Sequence, residues 1–155
     1  MRNQLVHTSV GDCMTPFLLT LTPYATLAEA YEMMRKNSIR RVPVVQDTKL
    51  VGIITLTDVL EAKTGGIRGS KDFAEVAESL SKVIVCLAMT PNPIVIYPTD
   101  TVGHAAELML EHKIGGLPVV DANQELVGLI TESDIFRLLA RSWRDENMKL
   151  AAEIS

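Results

Sequence analysis

A chain of 155 residues with 47% hydrophobic and 22% charged residues has the composition of a folded globular protein, not a disordered one. Its formal net charge of −4 argues against a general nucleic-acid binder, which needs a basic face to displace counterions, but leaves room for a small anion held by one or two cations. Cys13 and Cys86 show neither C-x-x-C spacing nor clustered His partners, which argues against zinc and against a secreted disulfide scaffold. The opening MRNQLVHTSVGD lacks an apolar signal core, and no apolar run approaches the ~20 residues of a membrane span, so a cytoplasmic protein without membrane insertion is expected.

In chain order, the apolar segment Leu18–Leu21 predicts a short strand, closed by Pro23. Thr26 with Glu29 three residues on is a capping-box pattern, and it opens a helix carrying Leu27, Ala30, Tyr31 and Met34 on one face. VPVVQ (42–46) and LVGIIT (50–55), joined by a polar turn, predict a hairpin, followed by a helix opening at Thr57. KTGGIRGS (63–70) reads as a glycine-rich hinge. The stretch 70–83 then places Phe73, Val76, Ala77 and Leu80 at helical spacing, as a linker helix lying on the core. The series begins again with Ile94–Tyr97, with Asp100 and Thr101 as candidate caps for a helix carrying Val102, Ala105, Ala106 and Met109. LPVVD (117–121), the turn ANQE and LVGLIT (126–131) form a second hairpin before a helix opening at Ser133. That helix carries Leu138, Leu139 and Trp143 and is expected to fade into RDENMKLAAEIS. Trp143 is expected to cover the core edge, with an oligomer contact as the other reading, and the methionines read as gap fillers.

The organising fact is this duplication. MTP occurs at 14–16 and 89–91, an offset of 75 (89 − 14) at which Pro23/Pro98, Thr26/Thr101, Ala30/Ala105, Glu32/Glu107, Met34/Met109, Ile39/Ile114 and the two PVV runs also match. One inserted residue in the second turn makes the offset 76 (134 − 58), which aligns Ile54/Ile130, Thr55/Thr131 and Asp58/Asp134. The expected fold class is α+β, two β-α-β-β-α repeats packed with pseudo-two-fold symmetry. The expected divisions are 8–63, a hinge and linker helix at 64–82, 83–142 and a C-terminal tail at 143–155.

Each repeat ends its second hairpin strand in T-x-[TS]-D. Thr57 and Ser133 suit N-caps, and an Asp in the first turn is favoured by the helix dipole, by about 0.3–1 kcal/mol. That leaves Thr55 and Thr131 less well explained. A carboxylate can also accept two hydrogen bonds side by side, as the cis-diol of a ribose offers them, with a threonine hydroxyl adding a third contact. His104, Glu107, Glu111 and His112 share one predicted helix, but read as an ordinary polar face, and no metal site is expected. No phosphate-loop, dinucleotide-fold, nucleophile-elbow or zincin motif is present, nor a nucleophile–base pair, so no catalytic residue and no enzyme activity are expected.

The order and duplication of MTP, PVV, LVGIIT and T-x-[TS]-D resemble the tandem cystathionine-β-synthase (CBS) domain family, over nearly the whole chain apart from 63–82 and the last dozen residues. The resemblance implies a regulatory module that binds AMP, ADP, ATP or S-adenosylmethionine in clefts between its halves, forms a homodimer and acts on a separate partner protein. Carried over by position, one ligand site would comprise Thr15, Pro16, Phe17, Arg40, Arg41, Thr131, Ser133 and Asp134. The other would comprise Thr55, Thr57, Asp58, Thr90, Pro91, Asn92, Gly115 and Gly116. Two arginines in the first and two glycines in the second make the Asp134 site the expected phosphate site. The alternative is a ligand-independent dimerisation or scaffold module in which both aspartates only start helices.

Overall fold

Prolines set where the strands stop. In a computed structural model, which describes residues 4–16, 19–64 and 73–154, the elements in chain order are α1 (Val10–Cys13), α2 (Leu27–Asn37), β1 (Arg41–Gln46), β2 (Lys49–Thr55), α3 (Leu56–Thr64), α4 (Phe73–Leu80), β3 (Thr90–Pro91), α5 (Val102–His112), β4 (Gly116–Val120), β5 (Leu126–Thr131) and α6 (Glu132–Ile154). The strand expected at the head of each repeat shrinks to one parallel bridge, Leu21 to Val44 and Ile96 to Val119. Leu21 N–H donates to Pro43 O at 3.0 Å and Val45 N–H to Leu21 O at 2.9 Å; the same two bonds recur at Ile96, each 3.0 Å. The next bond on one side would need an N–H from Pro43 or Pro118, and on the other an N–H from Pro23 or Pro98. Proline has none, so the ladder ends both ways.

The chain forms two compact units, residues 19–93 and residues 1–18 with 94–155. The first lobe holds the hairpin β1–β2, with Arg41 opposite Thr55 and an irregularity at Val44/Val45. Its two-residue turn puts Asp47 and Thr48 at φ 50° and 68°, the left-handed pair that a tight hairpin requires. Leu27, Ala30, Met34, Val42, Val44, Ile54, Val59, Leu80 and Val85 form its core. Val76 of α4 packs against that core, so the linker helix lies on it as expected, while the hinge residues 65–70 fall outside the described residues.

The second lobe repeats the design with the hairpin β4–β5, where Gly116 faces Thr131 and the irregularity falls at Val119/Val120. Its longer turn is organised by Asp121, whose side chain accepts from the N–H groups of Asn123 and Glu125. Val10, Ile96, Val102, Ala105, Met109, Leu117, Val119 and Ile130 are its core. Both long helices start as the sequence indicates: Thr26 and Glu29 form a reciprocal capping box, and Thr101 accepts from His104 N–H. Both end on a left-handed residue, Ser38 at φ 53° and Lys113 at φ 54°.

Each lobe borrows the lead-in of the other repeat. In the first lobe, Leu27 N–H donates to Val83 O at 2.9 Å and Val85 N–H to Ala25 O at 2.7 Å. In the second, Val102 N–H donates to Thr8 O and Val10 N–H to Asp100 O, both at 2.8 Å.

The C-terminus departs from expectation. Helix α6 does not fade after Trp143 but continues to Ile154, and Trp143 is 67% exposed instead of covering the core edge. The extension has no Gly or Pro and is rich in good helix formers, Arg144, Glu146, Met148, Lys149, Leu150, Ala151 and Ala152, which favours continued helix. Met148 is exposed on the same extension and fills no gap, whereas Met34 and Met109 are buried as expected.

Candidate functional site

The T-x-[TS]-D phrases resolve into helix starts whose cap is the first threonine. Thr55 directly precedes α3, and its hydroxyl accepts from Asp58 N–H at 3.2 Å. Asp58 Oδ2 in return accepts from Thr55 N–H at 2.7 Å and Thr55 Oγ1–H at 2.8 Å. This is a capping box with Asp in place of Glu. The second copy repeats the carboxylate half of this box, with Asp134 Oδ2 accepting from Thr131 N–H at 2.8 Å and Thr131 Oγ1–H at 3.1 Å, but not, among the described residues, the return bond from the Asp N–H to the Thr hydroxyl. The expected caps were Thr57 and Ser133; both instead sit exposed inside the first helical turn. The strands end at Thr55 and Thr131 as expected, but each helix begins at the very next residue, Leu56 or Glu132, so the strand's last residue stands at the cap position.

In each box one carboxylate oxygen holds the backbone and the other faces outward. Here the copies part. Asp134 is buried, 8% exposed, and its Oδ1 accepts from Arg137 Nη1–H at 2.9 Å. Asp58 is half-buried, and among the described residues no donor reaches its Oδ1. The difference lies three residues on, where Arg137 corresponds to Glu61, a side chain that has no proton to donate when ionised.

The MTP segments border these boxes. Thr15 N–H donates to Leu129 O at 2.9 Å and Leu129 N–H to Thr15 O at 3.1 Å, which places exposed Thr15 and Pro16 beside the end of β5. Phe17 lies outside the described residues. In the first lobe β3 pairs with β2, Thr90 against Ile53 and Pro91 against Gly52, and Asn92 N–H donates to Val51 O at 3.2 Å. The methionines ahead of them explain the glycine of LVG. A Cβ on Gly52 would overlap Met89 Sδ and stand 3.0 Å from both Met89 Cγ and Thr90 O. On Gly128 it would overlap Met14 Sδ and stand 3.0 Å from Met14 Cγ. Thus Met14 and Met89 lie across the strands that lead into the aspartate-bearing helices.

Of the remaining expected residues, Arg40 is exposed, and its carbonyl accepts from Leu56 N–H at 2.8 Å. Arg41 pairs with Thr55 in the hairpin register. Gly116 pairs with Thr131, and Gly115 O accepts from Glu132 N–H at 3.1 Å. The arginine and glycine pairs thus brace the start of the following helix in their own lobe.

Sequence reasoning passed over Arg137 and Arg141, and took Cys13 only as an isolated cysteine. Arg137 and Arg141 line an open cavity of about 440 Å³, together with Phe136, Ala140 and Arg144. Their signal was present as arginines at i, i+4 and i+7 on a predicted helix. Partial burial pushes the Cys13 thiol above its ordinary value, helped by the negative charges of Asp12 and Asp134 and opposed by Arg141. His104 and His112 reach only helix neighbours, Glu107 at 3.8 Å and Glu111 at 3.9 Å. No group of three metal-ligating side chains gathers among the described residues. Nor, among them, is any helix long and apolar enough to cross a membrane.

Comparison with known proteins adds four findings. The chain is 32% identical to CBSX2, solved in complex with AMP, with a TM-score of 0.71 over 86% of this chain and 96% of that one; CBSX2 comes from Arabidopsis thaliana. It is 30% identical to the CBS domain pair of protein MJ0100, solved with 5′-methylthioadenosine and S-adenosyl-L-methionine, at a TM-score of 0.72 over 85% of this chain and 99% of that pair. A homoserine O-acetyltransferase of Methanohalobium evestigatum is 31% identical over 90% of this chain, yet the chain spans only 26% of that enzyme's length. The CBS domain family matches residues 10–65 and 80–141. With two matched segments, two lobes and two Thr-capped aspartates, the chain belongs to the CBS domain family as a tandem pair.

Proposed function

We propose that the protein is a regulatory module that takes an adenosine-containing ligand, AMP, ADP, ATP or S-adenosylmethionine, at Asp58 and Asp134, and passes its occupancy to a separate partner protein. The observation that carries this reading is the pre-set carboxylate. Thr55 or Thr131 fixes one oxygen through two hydrogen bonds, which orients the other to accept from a ribose hydroxyl. The AMP, methylthioadenosine and S-adenosylmethionine complexes of its relatives support the ligand class. Thr15, Pro16 and Phe17 serve the Asp134 ligand in this reading, with Arg40 and Arg41 on its phosphate. Thr90, Pro91 and Asn92 serve the Asp58 ligand, with Gly115 and Gly116. The protein acts as a non-enzymatic cytoplasmic homodimer, and the exposed Trp143, Leu150 and Ile154 of α6 offer apolar surface for the second copy. Ligand binding regulates the partner only through unequal affinity for two states of the module.

Thermal unfolding with and without each ligand tests the reading. A ligand at 100 times its dissociation constant adds about 2.7 kcal/mol, which for a chain of this length raises Tm by about 5–10 °C. Asp58→Ala and Asp134→Ala together should abolish the shift. One observation favours the scaffold alternative: all four Thr and Asp side chains already take part in local bonds at the helix starts. An unchanged Tm with every ligand would establish that alternative.

A further inference from the structure

We propose that Arg137 is a displaceable cap on Asp134 that turns this site toward polyphosphate-bearing adenine nucleotides and away from uncharged adenosyl compounds. The inference rests on the adenosine reading above and adds which member of that class the site selects. It starts from an occupied atom. Asp134 Oδ2 is committed to the helix start, and Oδ1, the oxygen a ribose would need, already accepts from Arg137 at 2.9 Å. A ribose hydroxyl arriving at Oδ1 therefore competes with a charge-assisted bond, and a ligand that offers nothing in exchange loses that bond's worth.

The surroundings of Arg137 supply the exchange. Its side chain is 70% exposed on the solvent side, so the guanidinium can swing outward without disturbing the core. It then joins Arg141 and Arg144, at i+4 and i+7 on the same face of α6, along a wall about 10 Å long. Both are exposed, and among the described residues neither is paired with a carboxylate. Ala140, small, and Phe136, apolar and exposed, line the same open groove on α6. Three arginines converge on one cavity in a chain whose net charge is −4. Planar guanidinium groups bind linked phosphates in forked pairs, so a triphosphate offers the displaced Arg137 a stronger partner than the carboxylate it leaves. Adenosine and methylthioadenosine offer none. Asp58 carries no such gate, because Glu61 stands where Arg137 would.

Calorimetric titration of the full chain with ATP, AMP and adenosine, at one fixed ionic strength, tests this. The proteins are the otherwise unchanged chain, Arg137→Gln and the pair Arg141→Gln/Arg144→Gln, each checked for a cooperative unfolding transition well above the titration temperature. To isolate the second lobe, all carry Asp58→Ala. The expected result is an ATP affinity about tenfold weaker in Arg137→Gln, with adenosine unchanged or tighter. The double variant should weaken ATP and leave adenosine alone. Equal losses for all three ligands, or an unaltered ATP affinity, would overturn the proposal while leaving the adenosine reading intact. A parent protein that binds none of the three would overturn both.

Discussion

Asp58 and Asp134 occupy equivalent places after equivalent strands, and among the described residues only Asp134 has its outward oxygen bonded. Both are held by the threonine that ends a hairpin strand, at distances that agree within 0.3 Å for each bond. The hold on the inner carboxylate oxygen is therefore the same in both copies, although among the described residues only Asp58 returns a backbone bond to its threonine. One difference that bears on the outward oxygen is position 61 against 137, Glu in one copy and Arg in the other, and among the described residues only the Arg supplies a partner. The duplication thus preserves the device that sets the carboxylate, while single side chains on the following helix set what the carboxylate can accept. Selectivity in such a pair can change without touching the strand, the cap or the core.

The largest effect should be shared by both lobes. Gly52→Ala and Gly128→Ala each push a methyl into the methionine of the neighbouring MTP segment and against a strand carbonyl. Each should cost about 2 kcal/mol, partly relieved because the thioether is flexible, and lower Tm by about 4–8 °C. Unequal losses in thermal unfolding would show that the two MTP segments are not equivalent supports.

The next effect should separate the copies. Asp134→Ala removes a buried carboxylate with three hydrogen-bonding contacts, whereas Asp58→Ala removes a half-buried one with two. Urea unfolding should show losses of about 2 and about 1 kcal/mol respectively. Equal losses would mean that Arg137, itself mostly exposed, adds nothing to the folded state.

How much of this could be read from the chain follows from the range of each interaction. The repeat, the hairpins and the capping box at Thr26 are local in sequence, and patterning exposes them. The short bridge at Leu21 is also legible in retrospect, since Pro23 and Pro43 are the very residues whose missing N–H ends it. The exchange of lead-ins is not, because Val83 and Thr8 bond to residues more than fifty positions away, and nothing local tells which copy each will meet. At the candidate site, Thr55, Asp58, Thr131 and Asp134 stood out because they recur. Arg137 did not, because it is the position at which the copies disagree. A search for similarity between repeats finds the shared scaffold and is blind to whatever distinguishes the two sites.

The smallest effect gives the second lobe its own reporter. Cys13 is pushed up mainly by burial, and the charge of Asp134 adds to that push. Asp134→Asn removes the charge, so the thiol should fall toward its ordinary value and more of it should be thiolate at pH 8. Alkylation of Cys13 at that pH should then run about twofold faster than in the wild type. Followed by peptide mass analysis, it is read apart from Cys86. Asp58→Asn should leave the Cys13 rate where it was, because the charges that act on this thiol are those of Asp12, Asp134 and Arg141. A rate that rose equally in both variants would point to general loosening of the fold. Only a rise confined to Asp134→Asn places the carboxylate's field on the thiol, and it would make Cys13 a label that senses the second lobe alone.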